Sequence, residues 1–202
     1  MSINSLSSSE KQKCNSIDLF AVDGRVPRGV KNPLCFSMAE RFQQARSSSG
    51  LSLIQVAMAA GVAQPIPGRF ERGEAFSALD TVERMACAVG VSPGWLAYGY
   101  EGTEPYRERY PRPIVAPSDP IPDEALRTFQ ARYAGFPERL RLSRARSGLS
   151  MRALSTAAGV SVQTWSIAES GKVAPRVDTA ERMAVALGVA PSWLAFGEGV
   201  MN

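Results

Sequence analysis

A chain of 202 residues, 45% apolar and 21% charged, has the composition of a folded protein of one or two domains. It contains no histidine, which excludes histidine acid–base catalysis, Ser-His-Asp and Cys–His arrangements and His-ligated zinc. A net charge of +4 permits a polyanionic partner without requiring one.

Residues 1–35 read as a polar arm. Residues 1–10 are Ser-rich and carry no charged-then-apolar leader, so secretion is not expected. The longest apolar stretches fall short of the ~20 residues of a membrane span, so no membrane partner is expected. Cys14, Cys35 and Cys87 make neither a CxxC pair nor an even disulfide framework, and read as free thiols in a reducing, cytoplasmic compartment. No metal site, cofactor or catalytic residue is expected, and the chain does not read as an enzyme.

From residue 40 onward the chain repeats itself. Residues 40–99 align with 138–197 at a constant offset of 98, without a gap, with 27 identities in 60 positions. The first repeat (36–102) and the second (136–202) are long enough to hold small cores of their own. The first carries a net charge of −1 over residues 40–102, the second +3, so the second is favoured for any polyanion. Between them, residues 103–135 form a linker rich in proline (Pro105, Pro111, Pro113, Pro117). Residues 122–133 could form a helix with Leu126, Phe129 and Tyr133 on one face.

The second repeat predicts five short helices: 138–146, ended by Gly148; 151–158, capped by Ser150; 162–169, capped by Ser161; 177–187, ended by Gly188; and 190–196, with Pro191 in its first turn. No segment alternates like a strand, so the chain is all-α. Helix, tight turn and helix follow one another over 150–170, with Gly159 supplying the positive φ of the turn. Leu154, Val160, Trp165 and Ala168 stand where buried side chains belong. A second helix presented outward in this way has the size of a DNA major groove.

At these residues the sequence resembles the phage-repressor and Cro-type helix-turn-helix family, often called the XRE family. The resemblance rests on the Leu-Ser helix start, the Ala-Ala-Gly-Val turn, the Glu-x-Gly ending (Glu71 to Gly73, Glu169 to Gly171) and the late stretches 89–96 and 187–194, each ending in Trp-Leu. It implies two lambda-repressor-like five-helix domains joined by a Pro-rich linker, in a bacterial or phage-encoded protein. It implies double-stranded DNA as partner, with Val162, Gln163, Ser166 and Ile167 facing bases. Thr164 lies near the backbone. Ser150 and Ser161, at helix N-termini, would meet phosphates, as would Arg141, Arg146 and Arg152. Arg144 with Glu169, and Arg46 with Glu71, would be structural ion pairs. Duplication with loss of the reading helix in one copy points to either an intramolecular pseudo-dimer or a homodimer, and the resemblance makes the late helices with Trp95 and Trp193 candidate contact surfaces.

The sequence also departs from the pattern. A helix-two position that often holds a phosphate-contacting Gln is Met151 here and Leu53 in the first repeat. The first repeat's third helix contains Pro65, Pro67 and Gly68, which predict a shortened or distorted helix that does not read bases. The expected function is a transcriptional regulator, a repressor, reading DNA through the second repeat. The alternative is a protein-binding regulator, such as an antiactivator, in which the same surfaces grip another protein.

Overall fold

The computed structural model describes residues 35, 37–74, 77–100, 134–199 and 201. The polar arm up to residue 34, Cys14, and residues 101–133 with the expected helix over 122–133 lie outside the described residues. The described chain is helical throughout. The first repeat forms α1 (Met38–Ser49), α2 (Leu53–Ala60), α3 (Pro65–Glu71), α4 (Leu79–Val89) and α5 (Pro93–Tyr98). The second forms α6 (Phe136–Ser147), α7 (Met151–Ala157), α8 (Val162–Ser170), α9 (Val177–Leu187) and α10 (Pro191–Phe196). Among the described residues no helix is long and apolar enough to cross a membrane.

Local chemistry sets these boundaries. Ser52 caps α2 by accepting from the Gln55 N–H, while the Gln55 side chain reaches back to the Ser52 N–H, a reciprocal capping box. Ser150 and Ser161 cap α7 and α8 through the N–H groups of Ala153 and Thr164. Helix α6 begins two residues earlier than the sequence suggests. Pro137 in its first turn loses no hydrogen bond there, and Phe136 is drawn inside the core.

Two conserved-by-repetition arginines fasten the ends of each five-helix set together. Arg41 on α1 donates from Nε to the Leu96 carbonyl and from Nη2 to the Ala97 carbonyl, both at 2.8 Å. Arg139 on α6 makes the same two bonds to Leu194 and Ala195, both at 2.9 Å. In both cases a guanidinium satisfies carbonyls in the last turn of the last helix, where the helix dipole also favours a cation.

The two repeats fill the space behind the third helix differently. In the second repeat Trp165 lies fully buried beside Leu140 and Ala168 in the core. In the first repeat the tryptophan position is Pro67, and the large groups are Phe42 and Phe70, whose rings meet edge-on at 5.1 Å between centroids. Apolar volume is kept while its source moves to other positions.

Buried residues of both repeats form one continuous core. Where the repeats meet, equivalent positions pair. Ala78 and Arg176 form an isolated antiparallel bridge. The Leu79 N–H donates to the Pro175 carbonyl at 3.0 Å, and the Val177 N–H donates to the Ser77 carbonyl at 3.1 Å. Tyr98 and Phe196 pack with their rings tilted by 42° and 6.3 Å between centroids. Ala78–Arg176 and Tyr98–Phe196 are each separated by the repeat offset of 98, and the two backbone bonds are images of one another under that offset, so the two halves meet through the same surface, as two-fold-related subunits do.

Other contacts at this surface break the symmetry. The Tyr98 hydroxyl donates to the Val177 carbonyl at 3.1 Å, which phenylalanine at position 196 cannot reciprocate. Glu198 accepts from the Gly94 N–H at 3.0 Å and from the Ser92 hydroxyl, capping α5 from the opposite repeat. Cys35 lies buried, its N–H donating to Glu181 at 3.2 Å. The late helices α5 and α10, which carry Trp95 and Trp193, thus meet at this surface, with Tyr98 against Phe196 between them. Trp95 and Trp193 are half-buried and pack against the core.

Candidate nucleic-acid interface

Helix α8 has one buried side and one open side. Trp165, Ala168 and Glu169 are buried, three and four residues apart. Val162, Gln163, Ser166 and Ile167 are all exposed, and together with Ser170 they make a continuous outward stripe. Thr164, half-buried, turns its hydroxyl to Ser161 at 2.8 Å. Two of the outward residues are apolar: Val162 is 46% exposed and Ile167 38%.

The back of α8 is held by three side chains acting on one another. Arg144 of α6 meets Glu169 through Nε at 2.6 Å and Nη2 at 3.2 Å, a two-pronged contact that fixes the carboxylate plane. The Trp165 indole N–H donates to the same carboxylate at 2.8 Å. Glu169 in turn holds the Arg144 guanidinium above its ordinary pKa. In the first repeat Arg46 reaches Glu71 at 2.5 Å and also donates to the Leu51 carbonyl at 2.9 Å. The tryptophan's share in this arrangement carried no clear sequence signal; only the four-residue spacing of Trp165 and Glu169 hints at it.

The turn before α8 places its N-terminus outward. Gly159 takes φ +65°, a left-handed conformation that a side chain disfavours. Ser161 and Ser150 are exposed, with their hydroxyl oxygens already accepting from their own helices. The backbone N–H groups of Val162 and Gln163 precede the first intrahelical bond and remain available to an acceptor from outside.

Arg141, Arg146 and Arg152 are all exposed. Arg141 pairs with Glu138 at 2.9 Å on the same helix, an exposed contact that a phosphate readily replaces. Arg146 approaches the Met201 sulfur at 2.8 Å. Arg152 projects from the first turn of α7.

The equivalent surface of the first repeat lacks these groups. Positions matching Arg141, Arg146 and Arg152 are Gln43, Ser48 and Ile54, all neutral. Lys172 is matched by Glu74, and Gln163 by Pro65. The third helix there runs seven residues against nine, starting at Pro65. It survives both prolines because they occupy its first and third positions, whose N–H groups have no partner inside a helix. Gln64 in front of it makes no side-chain cap. In place of arginine and threonine, α2 exposes Ile54 (56%) and Met58 (59%).

A fold in which a helix is held from behind, preceded by a glycine turn and crossed by a capped partner helix defines a helix-turn-helix module. Residues 136–195 match the family model of a helix-turn-helix domain. No curated protein and no solved structure matches the chain.

Proposed function

We propose that this chain is a DNA-binding transcriptional regulator of the phage-repressor type, a repressor that occludes a promoter, and that its second repeat reads the DNA. The observation carrying this reading is the outward stripe of α8 held rigid by Trp165, Glu169 and Arg144. A recognition helix must not yield when it enters a groove, and a carboxylate engaged on two sides keeps it fixed.

In this reading Gln163 pairs with a base edge, adenine being the natural partner of an amide. Val162 and Ile167 touch apolar groups such as a thymine methyl, and Ser166 completes the stripe. Arg141, Arg146 and Arg152 take phosphates, with Ser150, Ser161 and Thr164 orienting the helix starts. The two repeats act as an intramolecular pseudo-dimer, a reading supported by the pairing of equivalent positions at their contact.

A second reading has its own support. The exposed Ile54 and Met58 suit a protein surface better than a phosphate backbone, and favour a regulator whose first repeat grips another protein. Titration of the full chain into duplex DNA over a salt series separates the two. Affinity falling steeply with salt supports the DNA reader. Absence of binding to any duplex at low salt removes it and leaves the protein-binding reading.

A further inference from the structure

We infer that the DNA site of this protein is a single asymmetric half-site occupied by one chain, not a palindrome occupied by a dimer. The inference rests on the DNA-reading function proposed above and adds the class of DNA taken.

Two observations carry it. First, the surface through which the repeats meet is self-complementary and is consumed inside one chain. Equivalent backbone groups at Ser77–Leu79 and Pro175–Val177 are already bonded to one another, and Tyr98 packs on Phe196. A second chain using the same face would have to break these bonds first. Second, the two halves so joined are unlike where DNA would be met. Arg141, Arg146 and Arg152 of the second repeat are each matched by a neutral residue in the first, and the amide of Gln163 is replaced by a proline ring.

A symmetric dimer reads a palindrome because both halves present the same side chains. Here one half presents the Gln163 amide and Arg141, Arg146 and Arg152, and the other presents Ile54, Pro65 and the exposed Arg69 and Arg72, both drawn to Glu74. Base readout by an amide then comes from one side of the pseudo-dyad. Absence of Gln163 and of these three arginines from only one repeat leaves the shared core and the contact surface intact, so the chain keeps a dimer's frame with one amide-bearing reading head.

The test is selection of binding sites from a pool of randomised duplexes with the full-length chain, followed by sedimentation of the complex on the enriched duplex. The expected motif lacks dyad symmetry, and the complex holds one chain per duplex. If Arg141, Arg146, Arg152 and Lys172 of the second repeat make the phosphate contacts, log affinity falls against log salt with a slope of about −3 to −4. An enriched inverted repeat or two chains per duplex overturns the inference while leaving DNA reading in place. Enrichment of no sequence, with no retention of any duplex, overturns the DNA-reading function itself and this inference with it.

Discussion

The Trp165 indole N–H donates to Glu169 at 2.8 Å inside the second repeat, on the carboxylate that Arg144 also grips. One acidic side chain thus joins the buried face of α8 to α6. Hydrogen bonds to a charged group contribute about 1.5–3 kcal/mol. Trp165→Phe removes the donor while keeping most of the ring, and is expected to lower stability by about 2 kcal/mol in urea unfolding. Because the rod loosens, the same variant is expected to bind DNA more weakly than its loss of stability alone explains.

The outward stripe and the arginines separate by the kind of binding each supplies. Gln163→Ala is expected to leave affinity for scrambled duplex unchanged while costing about 1–3 kcal/mol on the preferred sequence. Arg152→Ala is expected to weaken all duplexes alike and to lower the salt slope by about 1. Equal losses on preferred and scrambled DNA from Gln163→Ala would deny that residue a role in base reading.

Gly94 and Ser192, equivalent positions on α5 and α10, lie against one another where the two halves meet. A Cβ on Gly94 would lie 3.1 Å from the Ser192 Cβ and closer still to the Glu198 carboxylate. The carboxylate can retreat, but the Ser192 Cβ is fixed to its backbone. Gly94→Ala is therefore expected to destabilise the protein by about 1–3 kcal/mol through overpacking, read by thermal or urea unfolding.

Phe70 does in the first repeat what Trp165 does in the second. Phe70→Ala empties a fully enclosed site against Phe42 and is expected to cost about 3–4 kcal/mol. Alanine is already the residue at the equivalent position, Ala168, where the indole fills the space instead. An unfolding curve that barely moves would mean the first repeat's core does not depend on this ring.

Stability is expected to fall in mild alkali. Burial, helped by the nearby Glu181 carboxylate, pushes the Cys35 thiol above its ordinary value. In the unfolded chain the thiol ionises above about pH 8.5, whereas the folded thiol still holds its proton. The unfolded state then binds fewer protons, so rising pH favours unfolding by up to about 1.4 kcal/mol per unit. The free energy of unfolding is expected to drop by about 1 kcal/mol between pH 8 and 9.5, and Cys35→Ala is expected to flatten this drop. The Tyr98 hydroxyl, also raised by burial, adds its own loss only above about pH 10.

Much of the helical plan is written locally. The second repeat's helices at Val177–Leu187 and from Val162 follow directly from Ser161, Gly188 and the spacing of Ala180, Met183 and Ala184. Caps, glycines and apolar period act over three or four residues, so a sequence displays them openly. The meeting of Arg144 with Glu169, 25 residues apart with α7 between their helices, is foreseen only through the family resemblance. The repeat itself, as identity at a constant offset, needs no structure to be seen.

What the sequence could not supply lies between elements far apart in the chain. That Arg41 and Arg139 close their helical sets, that Phe42 and Phe70 stand in for Trp165, and that α3 carries two prolines in positions without hydrogen-bond partners all depend on packing. The pairing of Ala78 with Arg176 is of the same kind: nothing in the pattern of either segment distinguishes partners within one chain from partners in two. Local propensity fixes the helices because its forces are short-ranged. The join between the halves was decided only when buried surface from both was removed from water together.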